Sequence, residues 1–570
     1  MTAKTKNSGA SERDDLPNYD VAIMGRGNSA ALTALALAKS GFSVWAEISQ
    51  TLVGNATKKE QAATWQRVLA LSPGARRALE ALGVWQRLEA GHAPVADIAV
   101  GGSDDRDLPL RFAEGASPNQ PVEILSYIVS VADLTAAIAA SLRDCRALAE
   151  QTQASETTSV PSDFNPRTGK VTLSDGAQIR TDLLVDASGA QSRWRQRAGI
   201  SCIHHDYNSA AVTAEIALAA PHGQVARQVF LPDGPLALLP LPKPDRAALI
   251  WSLPARKAEA LAACDENLFD GELNAAARRF FGQLHLIGTR AHQPLMAQIA
   301  EAFTGPRLAL VGEAAHVIHP LAGQGMNLTL RDIGSLVDTL KNARRLGLEC
   351  GDATMLETYA SLRRADALAG AFGTHTLAEI FSGPTPARTL AACDETLFNG
   401  ELNAAARSVF GQLHLIGARA QQPLKAQIAE AFIGPRLALV GEAAHVIHPL
   451  AGQGMNLTLR DIGALVDTLK NARRLGLECG DATMLENYAG LRRADAFAGA
   501  FGTHALAEIF SASSPARMLA AAGMRGVGYI ADNWPKLKDA FRRQADQGLG
   551  PLSGLFASAP PNAPDVKKGR

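Results

Sequence analysis

The stretch Tyr19-Asp-Val-Ala-Ile-Met-Gly-Arg-Gly-Asn-Ser-Ala30 decides the fold of this chain. Its apolar beginning predicts a short buried strand, and residues 31–39 predict a helix that ends before Gly41. Residues 42–46 predict a second strand, which ends in Glu47. A strand, a glycine-rich turn, a helix, a second strand and an acid follow one another in dinucleotide-binding units. The sequence therefore predicts an α/β domain near its beginning.

Each residue of this unit has an expected part in binding a dinucleotide. Gly25 makes the tight turn, Gly27 lets the backbone approach a pyrophosphate, and Ala30 sets the packing of the helix against the strand. The N-terminus of the helix supplies N–H donors and a partial positive charge. Glu47 lies 22 residues after Gly25, where a ribose hydroxyl needs an acceptor. The alternative is an ordinary strand–helix turn followed by a solvated strand end.

A second glycine-rich motif occurs twice in the chain. Gly312-Glu-Ala-Ala-His-Val-Ile-His-Pro-Leu-Ala-Gly-Gln-Gly-Met-Asn-Leu328 reappears unchanged as residues 441–457, a shift of 441 − 312 = 129 residues. Residues 262–390 (copy one) and 391–519 (copy two) differ at 17 of 129 positions. A solenoid would need at least three copies of a shorter unit. We therefore interpret the pattern as a tandem duplication inside an enzyme that needs the segment once.

In each copy the sequence Arg-Leu-Ala-Leu-Val, at residues 307–311 or 436–440, predicts a buried strand. Only one such strand can complete the sheet of the dinucleotide unit. Leaving the two leucines and the valine of the other exposed would forgo about 5–9 kcal/mol. The spare strand must therefore pack elsewhere, pair with another chain or stay partly unfolded. Copy one is synthesised first, so we expect it to complete the sheet, and the spare copy offers a route to a swapped homodimer.

The bulk composition is that of a globular protein with several domains. The chain has 570 residues, of which 47% are hydrophobic and 20% charged. Since 56 basic residues balance 56 acidic ones, nucleic acid is not an expected partner. The six cysteines form no Cys-x-x-Cys pair, which is typical of a reducing compartment. Without a signal peptide or a long apolar run, the expected localisation is cytoplasmic, with peripheral attachment to the inner face of the membrane left open.

With these motifs assembled, the chain resembles the FAD-dependent aromatic hydroxylases of ubiquinone biosynthesis. They are class A flavoprotein monooxygenases, like p-hydroxybenzoate hydroxylase. The most specific match runs from Arg307 to Leu328, and other matches lie at residues 21–47, 67–72, 183–195, 234–240 and 250–252. The resemblance implies an α/β fold with a Rossmann-like FAD-binding domain, an interleaved antiparallel-sheet substrate domain and C-terminal helices, with one duplicated segment.

The resemblance also implies an order of domains along the chain. The FAD-binding domain is expected in three parts and the substrate domain in two, followed by copy two and by C-terminal helices with a tail. In that order the expected ranges are 19–90, 131–200 and 301–390, then 91–130 and 201–300, then 391–519, and finally 520–570.

The site residues follow from the same resemblance, which places Pro320 and Gly323 next to the flavin ring as the catalytic loop and assigns no side chain as acid or base. Glu313 stands where the family has an aspartate that binds the ribityl chain. The FAD-binding residues expected in the first part of the chain and in copy one are Gly25, Gly27, Ala30, Glu47, Arg67, Gly312, Glu313, Gly323, Gln324, Gly325, Met326 and Asn327. Their equivalents in copy two are Gly441, Glu442, Pro449, Gly452, Gln453, Gly454, Met455 and Asn456.

The implied activity is monooxygenation of a phenolic, polyprenylated ubiquinone precursor by O2 through a flavin C4a-hydroperoxide. The implied cofactors are FAD and NAD(P)H or another electron donor, and a quinone-biosynthesis complex is an implied partner. Ser188 departs from the family, which has an aspartate there, so the route of the electrons stays open. The alternatives are a related flavin reductase or halogenase-like enzyme, and a non-catalytic scaffold.

Two further patterns, a pair of histidines and the arginine pairs, could suggest other sites. The histidines at 316 and 319 have a spacing that suits metal ligands, but they lie in a loop and lack the further glutamates of a di-iron bundle. We expect no metal site, and we expect these histidines to pack beside the flavin or to bond the backbone. The arginine pairs at 344–345 and 363–364, with their duplicates, are expected on solvated helix faces.

Overall fold

The computed structural model describes most of residues 16–367 and a part of copy two. The described residues are 16–47, 67–88, 91–102, 110–111, 124–146, 148, 160–319, 323–364, 366–367, 427–446, 453–493 and 496. The expected C-terminal helices, the tail and Pro320 lie outside these residues.

In chain order the strands are β1 (Asn18–Met24), β2 (Val44–Ala46), β3 (Val68–Leu71), β4 (His92–Val95), β5 (Asp97–Gly102), β6 (Leu110–Arg111), β7 (Ser126–Ser130), β8 (Pro161–Asn165), β9 (Lys170–Leu173), β10 (Gln178–Asp186), β11 (Cys202–Leu218), β12 (Val225–Leu231), β13 (Gly234–Pro240), β14 (Arg246–Pro254), β15 (Leu284–Ala300), β16 (Thr304–Gly305), β17 (Leu308–Leu310), β18 (His316–Val317), β19 (Gln427–Ile428), β20 (Ile433–Gly434), β21 (Leu437–Ala438) and β22 (His445–Val446). The labelled helices are α1 (Asn28–Lys39), α2 (Pro73–Ala81), α3 (Val131–Asp144), α4 (Arg193–Arg197), α5 (Ala255–Ala263), α6 (Glu266–Phe281), α7 (Gly325–Arg345) and α8 (Gln453–Arg474). Residues 353–364 and 482–493 are also helical.

The first sheet is the predicted dinucleotide-binding sheet. Its strand order is β16-β17-β10-β1-β2, and β8 and β9 extend β10 at one side. Strand β1 is parallel to both β10 and β2, and β17 is parallel to β10. The apolar run Val21–Met24 is fully buried, because Val21 and Ile23 enter the hydrophobic cluster that contains α1, and Ala22 and Met24 enter a second cluster on the opposite face of the sheet. The predicted strand, helix and second strand at the beginning of the chain are confirmed.

The second sheet carries the predicted antiparallel strands, in the order β18-β15-β11-β14-β13-β12-β5-β6. Strands β12, β13 and β14 form consecutive antiparallel hairpins, and β5 joins β12 in parallel. Helices α5 and α6 pack on this sheet around Phe269 and Trp251. Helix α6 begins at Glu266, because Asp265 caps it by accepting a hydrogen bond from the Leu268 N–H at 2.9 Å.

A third, smaller sheet lies beside the first and has the order β3-β7-β4. Its first strand connects directly to α2, whose N-terminus is capped by Ser72. Helix α7 packs against both β3 and α2. This sheet therefore supports the end of α7 at which the second glycine-rich motif enters the helix.

The two copies of the repeated segment occupy different places in the fold. In copy one β17 pairs with β10, with Leu308 opposite Leu184, so copy one completes the first sheet as expected. In copy two the described strands pair among themselves, β19 with β22 and β20 with β21. The strand of copy two that the sequence made equivalent to β17 is therefore outside the first sheet.

Within the described residues, no helix is both long enough and apolar enough to cross a membrane.

Candidate functional site

Three turns meet at the carboxyl edge of the first sheet. They follow β1, β10 and β17, which are parallel neighbours, so their ends lie side by side. Gly25 has φ +123°, and a Cβ there would lie 2.5 Å from the carbonyl oxygen of Ala187. Only glycine fits this position, because the turns after β1 and β10 touch through their backbones. Open parallel sheets bind ligands at this edge.

Glu47 lies at the same edge, after β2. Its Oε2 accepts a hydrogen bond from the Gly25 N–H at 3.1 Å, and its Oε1 accepts one from the Arg26 Nε at 2.8 Å. The side chain of Glu47 is 11% exposed, whereas that of Arg26 is 52% exposed. Glu47 thus holds the glycine-rich turn in place, and the Arg26 guanidinium that it contacts faces solvent beside this turn. Sequence reasoning missed Arg26, which is the variable residue between the two glycines.

Two helices begin at this edge without a side-chain cap. Helix α1 starts after Gly27 and α7 starts after Gln324, and neither has an acidic residue in its first turn. By contrast, Ser72, Ser130 and Asp265 cap α2, α3 and α6. The free N–H groups of α1 and α7 leave a partial positive charge at the edge. This arrangement suits the phosphates and the electron-rich ring edge of a dinucleotide such as FAD.

The turn at Gly312 brings copy one against the start of α1. A Cβ at Gly312 would lie 3.2 Å from the Ser29 hydroxyl oxygen, and the residue has φ +64°. Glu313, the next residue, is exposed at the edge. The predicted site residues Gly25, Gly312, Glu313 and Glu47 are therefore brought to one edge of one sheet.

The beginning of α7 is fixed by Asn327. Its Oδ1 accepts a hydrogen bond from the Ser72 N–H at 3.0 Å, and its Nδ2 donates to the Ala70 carbonyl oxygen at 3.0 Å. A Cβ at Gly323 would lie 2.8 Å from the Cβ of Ala70. Asn327 is buried, so it positions the turn and does not itself face the edge. Arg67 is exposed just before β3, and Gln324 before α7 and Met326 in its first turn are half-buried.

Behind the Gly312 turn lies a buried charge network that the sequence did not reveal. The Asp332 carboxylate accepts hydrogen bonds from the Gly312 N–H at 2.9 Å and from His316 Nε2 at 2.7 Å. Its other oxygen accepts a hydrogen bond from Arg363 Nε at 2.7 Å. Burial acts to raise the pKa of Asp332, but His316 and Arg363 outweigh it and hold the pKa below its usual range. His316 therefore bonds a carboxylate and not the backbone, which corrects our expectation.

The expectation that the arginine pairs lie on solvated faces is wrong for Arg363. This side chain is 6% exposed, and it donates both to Asp332 and, at 2.7 Å, to Asp366. Arg331 donates to the same Asp366 oxygen at 2.7 Å. Burial acts against the charged carboxylate, but Arg331 and Arg363 lower the pKa of Asp366 to about 2. The local pattern offers Asp366, three residues later, as a partner, but it could not show the contact with Asp332, which comes from α7.

This pKa predicts a step in stability at low pH. Because the pKa of Asp366 is about 2 in the folded chain and about 3.9 when unfolded, folding favours the charged form. The contribution, about 2–3 kcal/mol, is complete above about pH 4 and is lost as the pH falls toward 2. Urea titrations from about pH 6 to about pH 2 should therefore show the Asp366→Asn variant approaching the wild type in stability. A difference that stays constant across this range would contradict the assignment.

Ser188, the departure from the family motif, lies in the turn after β10. Its hydroxyl donates a hydrogen bond to Asp186 Oδ1 at 2.5 Å, and Ser192 bonds the other oxygen of that carboxylate. Burial raises the pKa of Asp186, although these hydroxyls and Arg195 oppose the rise. Ser188 thus stabilises the turn from within. An aspartate there would place a second carboxylate against a buried one.

Copy two repeats the buried network. Asp461 accepts hydrogen bonds from the Gly441 N–H at 2.8 Å, from His445 Nε2 at 2.7 Å and from Arg492 Nε at 2.6 Å. Arg492 is buried, which again corrects the expected solvated face. Glu442 is exposed, as Glu313 is. Of the other predicted residues of copy two, Pro449 and Gly452 lie outside the described residues, and the backbone of residues 453–456 begins α8.

One group of potential metal ligands occurs among the described residues, away from the carboxyl edge. Asp20, Asp182 and Cys350 bring ligand atoms within 4.8 Å of one another. Asp20 already accepts hydrogen bonds from Arg344 at 2.9 Å and from the Ser43 N–H at 2.7 Å. Burial raises the pKa of the Cys350 thiol to about 12, which disfavours the thiolate that a metal needs. We interpret this group as a structural cluster near the beginning of β1, where Asp20 forms an ion pair with Arg344.

Comparison with known proteins agrees with this geometry. The family described as FAD binding domain matches residues 18–370 and 388–497. The ubiquinone hydroxylase UbiL of Rhodospirillum rubrum is 34% identical over 366 residues, which cover 64% of this chain and 82% of that protein. The 3-demethoxyubiquinol 3-hydroxylase of Escherichia coli is 31% identical over 360 residues, or 61% of this chain and 86% of that protein.

Among solved structures, PqsL from Pseudomonas aeruginosa is 21% identical, with a TM-score of 0.49 over 68% of this chain and 100% of that one. The family match extends over most of the chain and includes the three turns that meet at the carboxyl edge. The chain belongs to the FAD-dependent monooxygenases that carry this FAD-binding domain.

Proposed function

We propose that this enzyme hydroxylates the phenolic ring of a prenylated ubiquinone precursor. The two relatives named above support the substrate class, because their names state that they act in ubiquinone chemistry and each is covered over more than four fifths of its length. We propose NAD(P)H as the electron donor, and we propose that the repeat arose by tandem duplication. The expected division into domains is kept as part of the same proposal.

The observation that carries the proposal is the meeting of three turns, each with a glycine, and Glu47 at one carboxyl edge. We propose that these residues, with the N-termini of α1 and α7, hold FAD. When bound, FAD supplies the two-electron chemistry that activates O2 for insertion into an aromatic ring. The residues proposed to hold it are Gly25, Gly27, Ala30, Glu47, Arg67, Gly312, Glu313, Gly323, Gln324, Gly325 and Met326, with Pro320 beside the ring and Asn327 positioning the turn before α7.

Each of these groups has a physical task. Glu47 offers carboxylate oxygens to a ribose hydroxyl once its contact with Arg26 opens, and Arg26 then lies free to meet a phosphate. The uncapped N-terminus of α7 favours negative charge on the part of the cofactor next to it. Asn327 holds this N-terminus against β3 and therefore acts as a positioning residue.

We propose that the substrate ring lies between the Gly312–Gly323 loop and the second sheet. The rings of His319 and Tyr207 support this placement, since their centroids are 4.6 Å apart in an edge-to-face arrangement. His319 is the last described residue before Pro320, and Tyr207 lies in β11 of the second sheet. An aromatic substrate would extend a contact between rings that already joins the loop to the sheet.

The test begins with the absorption spectrum of the purified chain and its FAD content after denaturation. We expect one FAD per chain and a severalfold stimulation of NAD(P)H-dependent O2 uptake by a short-chain 2-prenylphenol. With ¹⁸O2 the hydroxylated product should carry one labelled oxygen. If the chain binds flavin but the phenol does not stimulate O2 uptake, a flavin reductase would be favoured. Failure to bind FAD at all would leave the scaffold alternative.

A further inference from the structure

Copy two exposes large apolar side chains at positions that are buried in copy one. We call the residues Leu437, Ile462 and Val466 the copy-two face; they are 54%, 46% and 42% exposed. Their equivalents in copy one, 129 residues earlier, are Leu308, Ile333 and Val337, which are 4%, 0% and 0% exposed. The same side chains are therefore core in one copy and surface in the other.

The surface that covers these residues in copy one is known from the same structure. Helix α7 packs against α1 and α2, and β17 pairs with β10. Ile333 and Val337 belong to one buried cluster together with residues of β1 and α1. We call β10, α1 and α2 the docking surface. Copy one occupies it, so the copy-two face is left without the partner that its equivalent has.

The two copies present nearly the same face to that surface. From residue 308 to residue 345 the sequence is repeated in residues 437–474 with one change, Ser335 to Ala464. The contacts with the docking surface therefore have nearly equal free energies for the two copies. What favours copy one is its own strand β15, which pairs with β11 in the second sheet and ends shortly before β17. A choice made by this pairing alone can be reversed by a small change in the contacts.

Copy two is also assembled before it docks. Its network of Asp461, His445 and Arg492 has formed, and the Tyr488 hydroxyl donates to the Leu439 carbonyl oxygen at 2.6 Å, as Tyr359 does to Leu310. A small core around Phe432 holds these parts together. Docking would therefore bury a surface that is already shaped and would not require the lobe to fold anew.

We infer that copy two is a spare FAD-closing lobe, which docks on β10, α1 and α2 of its own chain when copy one is released. It would bring Gly441 and Glu442 to the carboxyl edge in place of Gly312 and Glu313. This inference rests on the proposed FAD site. The occupant of the copy-two face is thus the docking surface of the same polypeptide, since that surface already accepts the same side chains.

The experiment uses matched variants of the full-length chain, with FAD per chain as the readout. Ile333→Asp places a charge in the contact of copy one, and Ile462→Asp places the same charge on copy two. We expect each single variant to keep most of the wild-type FAD and the double variant to lose it. If Ile333→Asp alone falls to the level of the double variant, the inference is overturned. The pair Val337→Asp and Val466→Asp repeats the test at an independent position.

Hydrogen exchange shows which lobe is docked. Peptides that contain Ser335 differ by one oxygen atom from those that contain Ala464, so mass spectrometry separates α7 from α8. We expect α7 to be the more protected in the wild type and α8 in Ile333→Asp. Unchanged exchange in α8 would overturn the inference. So would light scattering that shows the FAD-bound Ile333→Asp variant to be a dimer, because copy two would then dock on a second chain. A wild type without FAD would instead refute the proposed function.

Discussion

Replacing Gly25 by alanine should abolish FAD binding. The new Cβ would lie 2.5 Å from the Ala187 carbonyl oxygen and 2.9 Å from the Cα of Ser188, at a φ of +123°. Both neighbours are backbone atoms of the turn after β10, so neither can rotate away. The strained backbone and the overpacking together should cost about 2–5 kcal/mol. Because the chain contains this turn once, the second copy of the other motif cannot replace it.

The matched control for this change is Gly27→Ala. A Cβ at Gly27 would meet nothing within 4 Å, so the unfolding midpoint should stay at the wild-type value. FAD should nevertheless bind more weakly, because we expect the backbone at Gly27 to approach the pyrophosphate. The FAD content and the unfolding midpoint of both variants check the pair. Gly25→Ala with one FAD per chain and an unchanged midpoint would refute this account of the turn.

Replacing Asp332 by alanine should release copy one from the first sheet. The change leaves Arg363, which is 6% exposed on its side chain, without one of its two carboxylates, and it removes the acceptor of the Gly312 N–H. Removing one partner of a buried ion pair costs about 3–5 kcal/mol. The free energy of opening of α7, measured by native-state hydrogen exchange, should fall by about this amount.

Asp461→Ala is the control, because Asp461 forms the equivalent hydrogen bonds within copy two. It should weaken protection in the peptides that contain Ala464 and leave those that contain Ser335 unchanged. Wild-type protection of α7 in Asp332→Ala would show that the network does not hold copy one in place.

Local pattern was sufficient for the parts of the fold that depend on neighbours in sequence. The apolar run 21–24, the glycines after it and the helix that follows predicted the dinucleotide unit, because strand, turn and helix preferences are properties of short segments. The site residues followed from the resemblance, and the structure places Gly25, Glu47 and Gly312 at one edge.

What the pattern missed depends on side chains that meet across long separations in the chain. Arg363 was expected on a solvated face, since its contact with Asp332, which lies 31 residues earlier in the chain, exists only once the helices have packed. Asn327 looked like a residue that faces the cofactor, yet its amide bonds β3, which lies 257 residues earlier. Burial and ion pairing are tertiary properties, so no local periodicity could assign them.

The repeat separates what the sequence determines by itself from what only the tertiary structure decides. The sequence by itself determined that the chain has one first sheet and two nearly identical segments able to close it, because that count needs only the letters. It could not decide between Ile333 and Ile462, since identical sequences have identical local preferences. Only the tertiary structure separated them, with one buried in the core and the other 46% exposed. The physical reason is that β10, α1 and α2 provide a single docking surface, and copy one is held next to it because its own strand β15 pairs with β11 in the second sheet.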